Sequence, residues 1–220
     1  MTAGLDYWNR ACEQIATADP VMARLIRAAA DTRPTSRGDP FQTLARSIVG
    51  QQISVKAAYA VWMRVVAAAG EVTPARVSRM RLSTLVRTGL SQRKAEYLKD
   101  LALHFHSGAV DPSRWPQMDD EAIIAELVEV RGIGRWTVEM LLIFNLMRPD
   151  VLPLDDMGVL RAMALSYPER WPPQAVGALT GRIGREARAA ARAIAEPWRP
   201  WRTVGTWYLW RSLQAVPVGV

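Results

Sequence analysis

The chain has 220 residues, half of them hydrophobic, and a formal net charge of +7, enough for one compact domain or two small ones closely joined. No apolar run of about 18 residues is present, which excludes a membrane-spanning helix; Met1 to Arg10 carries Asp6 and no apolar stretch of signal length, so a cytoplasmic protein is expected. The single cysteine, Cys12, excludes an internal disulfide and any all-cysteine metal or iron–sulfur site. The excess of cations is nearly all arginine, with Lys56, Lys94 and Lys99 the only lysines. Such a bias permits an anionic partner without establishing one, because genomic base composition alone can produce it.

Phe41, Leu44, Ala45 and Ile48 fall at i, i+3, i+4 and i+7 and predict a helix. Ser54 caps a second, with Ala58, Val61, Trp62 and Val65 inward and Gly70 as its stop. Pro74 begins a short helix, Ser83 caps another that ends near Gly89, and Ser91 opens a longer one with the stripe Leu98, Leu101, Ala102 and Phe105. Asp119 and Asp120 cap the next. After the turn Arg131-Gly132-Ile133-Gly134, Trp136, Met140, Leu141 and Phe144 continue on a new helix that Pro149 ends. Val151 to Leu154 is extended, Asp155 caps a helix through Val159 and Leu160, and residues 168–175 form a Pro-rich connector. Two further helices are expected over Gly181 to Ala195 and Thr203 to Leu213. No alternating run reads as a strand, so the fold class is all-α. His104 and His106 are the only histidines, too few for a metal site. Four of nine tryptophans, Trp198, Trp201, Trp207 and Trp210, crowd the C-terminal segment, as packing groups or as stacking surfaces.

Leu127 to Met140 reads helix, tight turn, helix, with glycines two apart at Gly132 and Gly134. Such a turn brings backbone close to another group without Cβ interference. The second helix then presents its first N–H groups and dipole to an anion such as a DNA phosphate. An ordinary αα-hairpin closed by glycines has the same local pattern.

The segment Leu127-Val-Glu-Val-Arg-Gly-Ile-Gly-Arg-Trp-Thr-Val-Glu-Met140 resembles the helix-hairpin-helix motif of the DNA glycosylase superfamily, and its Gly-Ile-Gly-Arg-Trp-Thr core is similar to the 3-methyladenine DNA glycosylase II branch. Ser47-Ile-Val-Gly-Gln-Gln-Ile-Ser54, Gly89-Leu-Ser-Gln-Arg-Lys-Ala95 and Glu196-Pro-Trp-Arg-Pro-Trp-Arg202 agree in order and spacing, so the resemblance spans roughly residues 41 to 212. It implies two helical subdomains flanking a DNA-binding cleft, about 36–147 and 1–35 plus 148–220; the archetype's additional N-terminal β domain is not expected in a chain of this length. It also implies a catalytic aspartate some twenty residues past the hairpin. Asp156-Met-Gly-Val-Leu-Arg161 fits the family's spacing, which leaves Asp155 as the cap. A carboxylate beside C1′ would stabilise the oxocarbenium-like charge that builds as an N-glycosidic bond breaks, and could orient or deprotonate water. Bifunctional relatives carry a lysine two residues after the second hairpin glycine; Trp136 stands there, so no imine can form and the expected product is an intact abasic site.

The same resemblance implies that a base is flipped out of the duplex into a pocket built from Trp136, Trp210 and Met140, with Trp207 and Tyr208 as further aromatics nearby. Cationic bases such as 3-methyladenine and 7-methylguanine suit electron-rich rings. Gln52 and Ile53, in the Gly50-Gln51-Gln52-Ile53 turn, correspond to the segment that fills the gap, with capping or loop packing the plainer role. Gly132, Gly134, Arg135, Thr137 and Lys94 are the expected phosphate contacts, and the backbone carbonyls of Val128, Val130 and Ile133 the expected ligands of a structural Na⁺ or K⁺. No catalytic cofactor and no iron–sulfur cluster is expected. The expected protein is a monomeric, monofunctional hydrolase acting on double-stranded DNA with alkylated bases. A non-catalytic DNA-binding module and a glycosylase for another lesion class are the alternatives.

Overall fold

A computed structural model describes residues 7–30, 32–173 and 184–214. Twelve α-helices and no strand lie among the described residues, as the helical periodicity requires. They divide into two units, a central one over 37–141 and a terminal one from the described residues of 1–36 and 142–220. No helix among them is long and apolar enough to cross a membrane.

The central unit holds α3 (Pro40–Gly50), α4 (Val55–Ala69), α5 (Pro74–Arg79), α6 (Leu82–Arg87), α7 (Gln92–Ser107) and α8 (Asp120–Val128), and it contains the start of α9 (Arg135–Phe144). Side-chain caps begin most of them: Asp39, Ser54, Thr73, Ser91 and Asp119 each accept a first-turn N–H. α6 differs from expectation, because it starts after Arg81 with no side-chain cap and takes Ser83 into its body. The core is built from the expected stripes, with Phe41, Leu44, Ile48, Val65, Leu98, Leu101 and Leu127 all buried. Phe105 stands edge-on between Phe41 and Trp115.

The terminal unit holds α1 (Trp8–Ala18), α2 (Pro20–Ala28), α10 (Met157–Ser166), α11 (Arg185–Ala195) and α12 (Arg202–Gln214). α1 and α2 are additions to the sequence-derived elements, which start at Phe41. Their signal is short: Trp8, Ala11 and Ile15 are the buried face of α1, and α2 buries Met22 alone. Residues 174 and 175 of the expected connector and 181–183 of the expected helix lie outside the described residues.

A buried carboxylate organises this unit. Asp19 caps α2 through Oδ1, which accepts the Val21 and Met22 N–H groups at 2.9 and 3.1 Å. Its Oδ2 accepts the Tyr167 hydroxyl at 2.7 Å and the Trp198 indole N–H at 2.8 Å. Burial and the Asp19 charge both push the Tyr167 hydroxyl pKa upward. Asp19→Asn keeps the cap through its amide oxygen but puts an amide N–H where Oδ2 now accepts, so the indole bond is lost and only a reversed, neutral bond to the Tyr167 hydroxyl can form. A loss of about 2 kcal/mol is expected in urea denaturation; an unchanged midpoint would show that Asp19 does no more than cap.

Candidate active site

The segment before α10 is held by α12. Thr203 donates its hydroxyl to the Arg148 carbonyl at 2.6 Å and accepts the Val151 N–H at 2.9 Å. The Arg202 guanidinium grips Asp150 through Nε and Nη2, at 2.7 and 2.9 Å. One turn on, Thr206 donates to the Val151 carbonyl at 3.4 Å, and Trp210 follows at i+7 from Thr203. This face of α12 therefore fixes where α10 starts.

Asp156 is the residue that caps α10. Its Oδ1 accepts the Val159 N–H at 2.8 Å and the Trp210 indole N–H at 2.9 Å, and only 8% of the residue is exposed. The expectation that Asp155 caps this helix is corrected: Asp155 turns outward and pairs with Arg188 at 2.6 Å. The reason is register. The extended backbone at Asp156 (φ −87°, ψ 111°) brings its own carboxylate over the third helical residue. Phe144, read from sequence only as part of a helical stripe, stacks on Trp210 with centroids 5.4 Å apart and planes 18° apart. Its signal was available, because it lies four residues beyond Met140 on α9.

The other C-terminal aromatics have structural tasks. The Trp207 indole donates to Thr32, at 3.2 Å to the hydroxyl and 3.3 Å to the carbonyl, with Arg211 over its ring. Tyr208 is fully buried and accepts the Trp8 indole N–H at 3.3 Å, and burial raises its pKa to about 12. It is a core residue, not a pocket aromatic.

In the central unit the hairpin turn is braced from three sides. Gly132 has φ +87°, and a Cβ there would lie 2.2 Å from the Tyr97 ring. Its carbonyl accepts the Gln51 side-chain amide at 2.9 Å, and the neighbouring Arg131 N–H donates to Asp100 at 2.9 Å. Gly134 is different: its φ is ordinary and nothing lies within 4 Å of where a Cβ would be. Its carbonyl accepts the Thr137 N–H at 2.9 Å and so starts α9. Gln51, Tyr97 and Asp100 were not singled out in the sequence, since their role is contact across elements rather than local pattern.

Lys94 and Arg135, expected to reach phosphates, are engaged within the protein. The Lys94 ammonium donates to the Val49 carbonyl at 2.9 Å and the Gln51 carbonyl at 2.5 Å, closing the end of α3, and desolvation lowers its pKa. Arg135 forks onto Glu121 and also meets Glu139 at 3.1 Å; these hydrogen bonds, Glu121 first, raise its pKa. Gln52 follows at φ +59°, a left-handed conformation uncommon outside glycine, with its side chain exposed. Ile53 is 41% and Trp136 is 43% exposed. Both line a groove of about 930 Å³ together with Arg37, Arg46, Gln51 and Gln52. Thr137 lines it as well, although it is largely buried, and Met140 is buried deeper in α9. The carbonyls of Val128 and Val130 lie at and just past the end of α8, where helix carbonyls lack intrahelical partners. That of Val130 accepts the Ile133 N–H at 3.1 Å and retains a second lone pair. With Ile133, such an all-oxygen donor set suits an alkali cation.

Comparison with known proteins shows the family and the fold. Residues 45–176 match the family model described as HhH-GPD superfamily base excision DNA repair protein. The DNA-3-methyladenine glycosylase 1 of Schizosaccharomyces pombe is 31% identical over 196 residues, covering 86% of this chain and 80% of that protein. Two further relatives are longer, and the chain spans 59% and 66% of their lengths. Among solved structures, a Bacillus halodurans DNA-3-methyladenine glycosidase superposes with a TM-score of 0.81 at 29% identity, covering 93% of this chain and 89% of that one. The Schizosaccharomyces pombe 3-methyladenine DNA glycosylase in complex with abasic DNA gives 0.77 at 29% identity, covering 96% and 100%. The chain belongs to the HhH-GPD superfamily of base excision DNA repair proteins, within its branch of hydrolytic DNA-3-methyladenine glycosylases.

Proposed function

We propose that the protein hydrolyses the N-glycosidic bond of alkylated purines of the 3-methyladenine and 7-methylguanine kind in duplex DNA, with Asp156 as the catalytic carboxylate, and leaves an abasic site. The observation that carries the proposal is a buried carboxylate at the N-terminus of α10, held through Oδ1 by the Val159 and Trp210 N–H groups. A fixed anion stabilises a sugar whose charge rises as the base departs, and it costs no reorganisation at that moment. The target base must leave the stack before its sugar can meet Asp156. Gln52, held in its left-handed turn and followed by Ile53, is suited to fill the space left behind.

The hairpin supplies the grip on the strand. The α9 N-terminus offers N–H groups and a favourable dipole to a phosphate, and the open side of Gly134 lets backbone approach. Val128, Val130 and Ile133 would hold an alkali cation, which supplies positive charge for a second phosphate contact. Gly134→Ala has no internal clash, so it should cost about 1 kcal/mol or less in stability yet weaken duplex binding at least about threefold (about 0.7 kcal/mol); unchanged affinity in a fluorescence titration would remove this glycine from the interface.

An intact abasic product is supported by two of the three lysines and by the start of α9. Lys94 and Lys99 hold backbone carbonyls, and Trp136 occupies the first turn of α9. An exposed indole beside the groove suits a cationic base, at about 0.5–2 kcal/mol per contact. The test is incubation with methylated duplex, followed by chromatography of released bases and gel analysis with and without alkali. Free methylated purines and strand breaks only after alkali are expected. Breaks without alkali would overturn the monofunctional reading, and no released base would overturn the substrate class.

A further inference from the structure

We propose that Trp210 and Gly158 are positioning residues for Asp156, with Trp210 acting through its indole N–H rather than as a surface for the base; the proposal rests on the glycosylase reading of Asp156. A carboxylate on a single Cβ turns freely unless donors fix it. Here two donors from different helices converge on one oxygen, the Val159 N–H of α10 at 2.8 Å and the Trp210 N–H of α12 at 2.9 Å. The indole is itself held. Phe144 stacks on it with an 18° interplanar angle, so one of its faces already has an aromatic neighbour.

Gly158 explains how the two side chains come so close. It sits in the first turn of α10 with an ordinary helical backbone, where glycine is a poor choice by propensity. A Cβ at this position would lie 3.1 Å from Asp156 Oδ1, and 3.3 and 3.4 Å from Cδ1 and Nε1 of Trp210. The first two distances are tighter than ordinary contact and the third is at its lower edge; Oδ1 and Nε1 are the hydrogen-bonded pair, and Cδ1 is bonded to Nε1. The space left by glycine is therefore the space that this bond occupies.

Two variants separate positioning from packing. Trp210 is replaced by 3-benzothienylalanine, which keeps the bicyclic shape and puts sulfur in place of the N–H, and Gly158→Ala adds one methyl group. Single-turnover release from a duplex with one N7-methylguanine is measured beside affinity for a duplex carrying an abasic analogue. Each variant is expected to lose about 10- to 100-fold in rate, with affinity within about twofold. Gly158→Ala should melt close to the parent, since alanine's helix propensity offsets the displaced hydrogen bond. A benzothienyl variant with the parental rate, or a loss that falls in affinity alone, would overturn the proposal. Crystal structures of both variants decide it without any substrate: an unmoved Asp156 carboxylate in both overturns it, whereas an inactive parent protein would count against the glycosylase reading only.

Discussion

Replacing Asp156 by asparagine is expected to slow base release by about 1000-fold or more while duplex affinity stays within about threefold. The variant is informative because the helix cap can be kept. Asparagine is as good an N-cap as aspartate, and its amide oxygen can still accept the Val159 and Trp210 N–H groups that now meet Oδ1. α10 should keep its start and the fold its melting temperature. What disappears is the negative charge, which a developing oxocarbenium ion needs beside it and which an incoming water can use as a base. Single-turnover release of N7-methylguanine, measured with thermal melting and a binding titration, reads the three properties separately. Near-parental turnover in a stable, DNA-binding Asp156→Asn protein would end the role assigned to this residue.

Gly132→Ala is expected to cost about 2–5 kcal/mol of stability and to weaken duplex binding with it. Two penalties combine. The φ of +87° disfavours any residue with a Cβ, and the new methyl would lie 2.2 Å from the Tyr97 ring, well inside contact distance. Tyr97 cannot withdraw without loosening the brace on which the turn rests, since Asp100, three residues along α7, bonds the Arg131 N–H. Adding Tyr97→Ala should recover the steric part and leave the backbone part, so a double-mutant cycle in urea divides the two. A Gly132→Ala loss below about 1 kcal/mol, or no coupling to Tyr97, would show that the turn relaxes easily.

Hairpin and site were legible to different degrees. The all-α class followed from apolar spacing, as in Phe41, Leu44 and Ile48, which are all buried. Helix starts followed where a short polar side chain precedes the periodic run, as at Ser54 and Ser91. The glycines of the hairpin were also visible, because a turn is a local event governed by backbone sterics, whereas the spacing to Asp156 came from the family resemblance. Local rules failed where two residues satisfied them equally. Both Asp155 and Asp156 can cap, and only the backbone direction entering α10 selects Asp156 and leaves Asp155 to Arg188.

Charge alone could not say which cations are already paired within the protein. Lys94 and Arg135 are basic residues in basic surroundings by sequence, yet one closes the end of α3 and the other is neutralised by Glu121 and Glu139. Phe144, Tyr97, Gln51 and Gly158 matter through neighbours 66, 35, 81 and 52 positions away, respectively Trp210, Gly132, Gly132 and Trp210. The sequence by itself thus determined the helical class and the hairpin turn, since each depends on residues within a turn or two. Only the tertiary structure decided how Asp156 is oriented and which side chains brace the turn, because hydrogen bonds and close packing between distant segments leave no periodic trace along the chain.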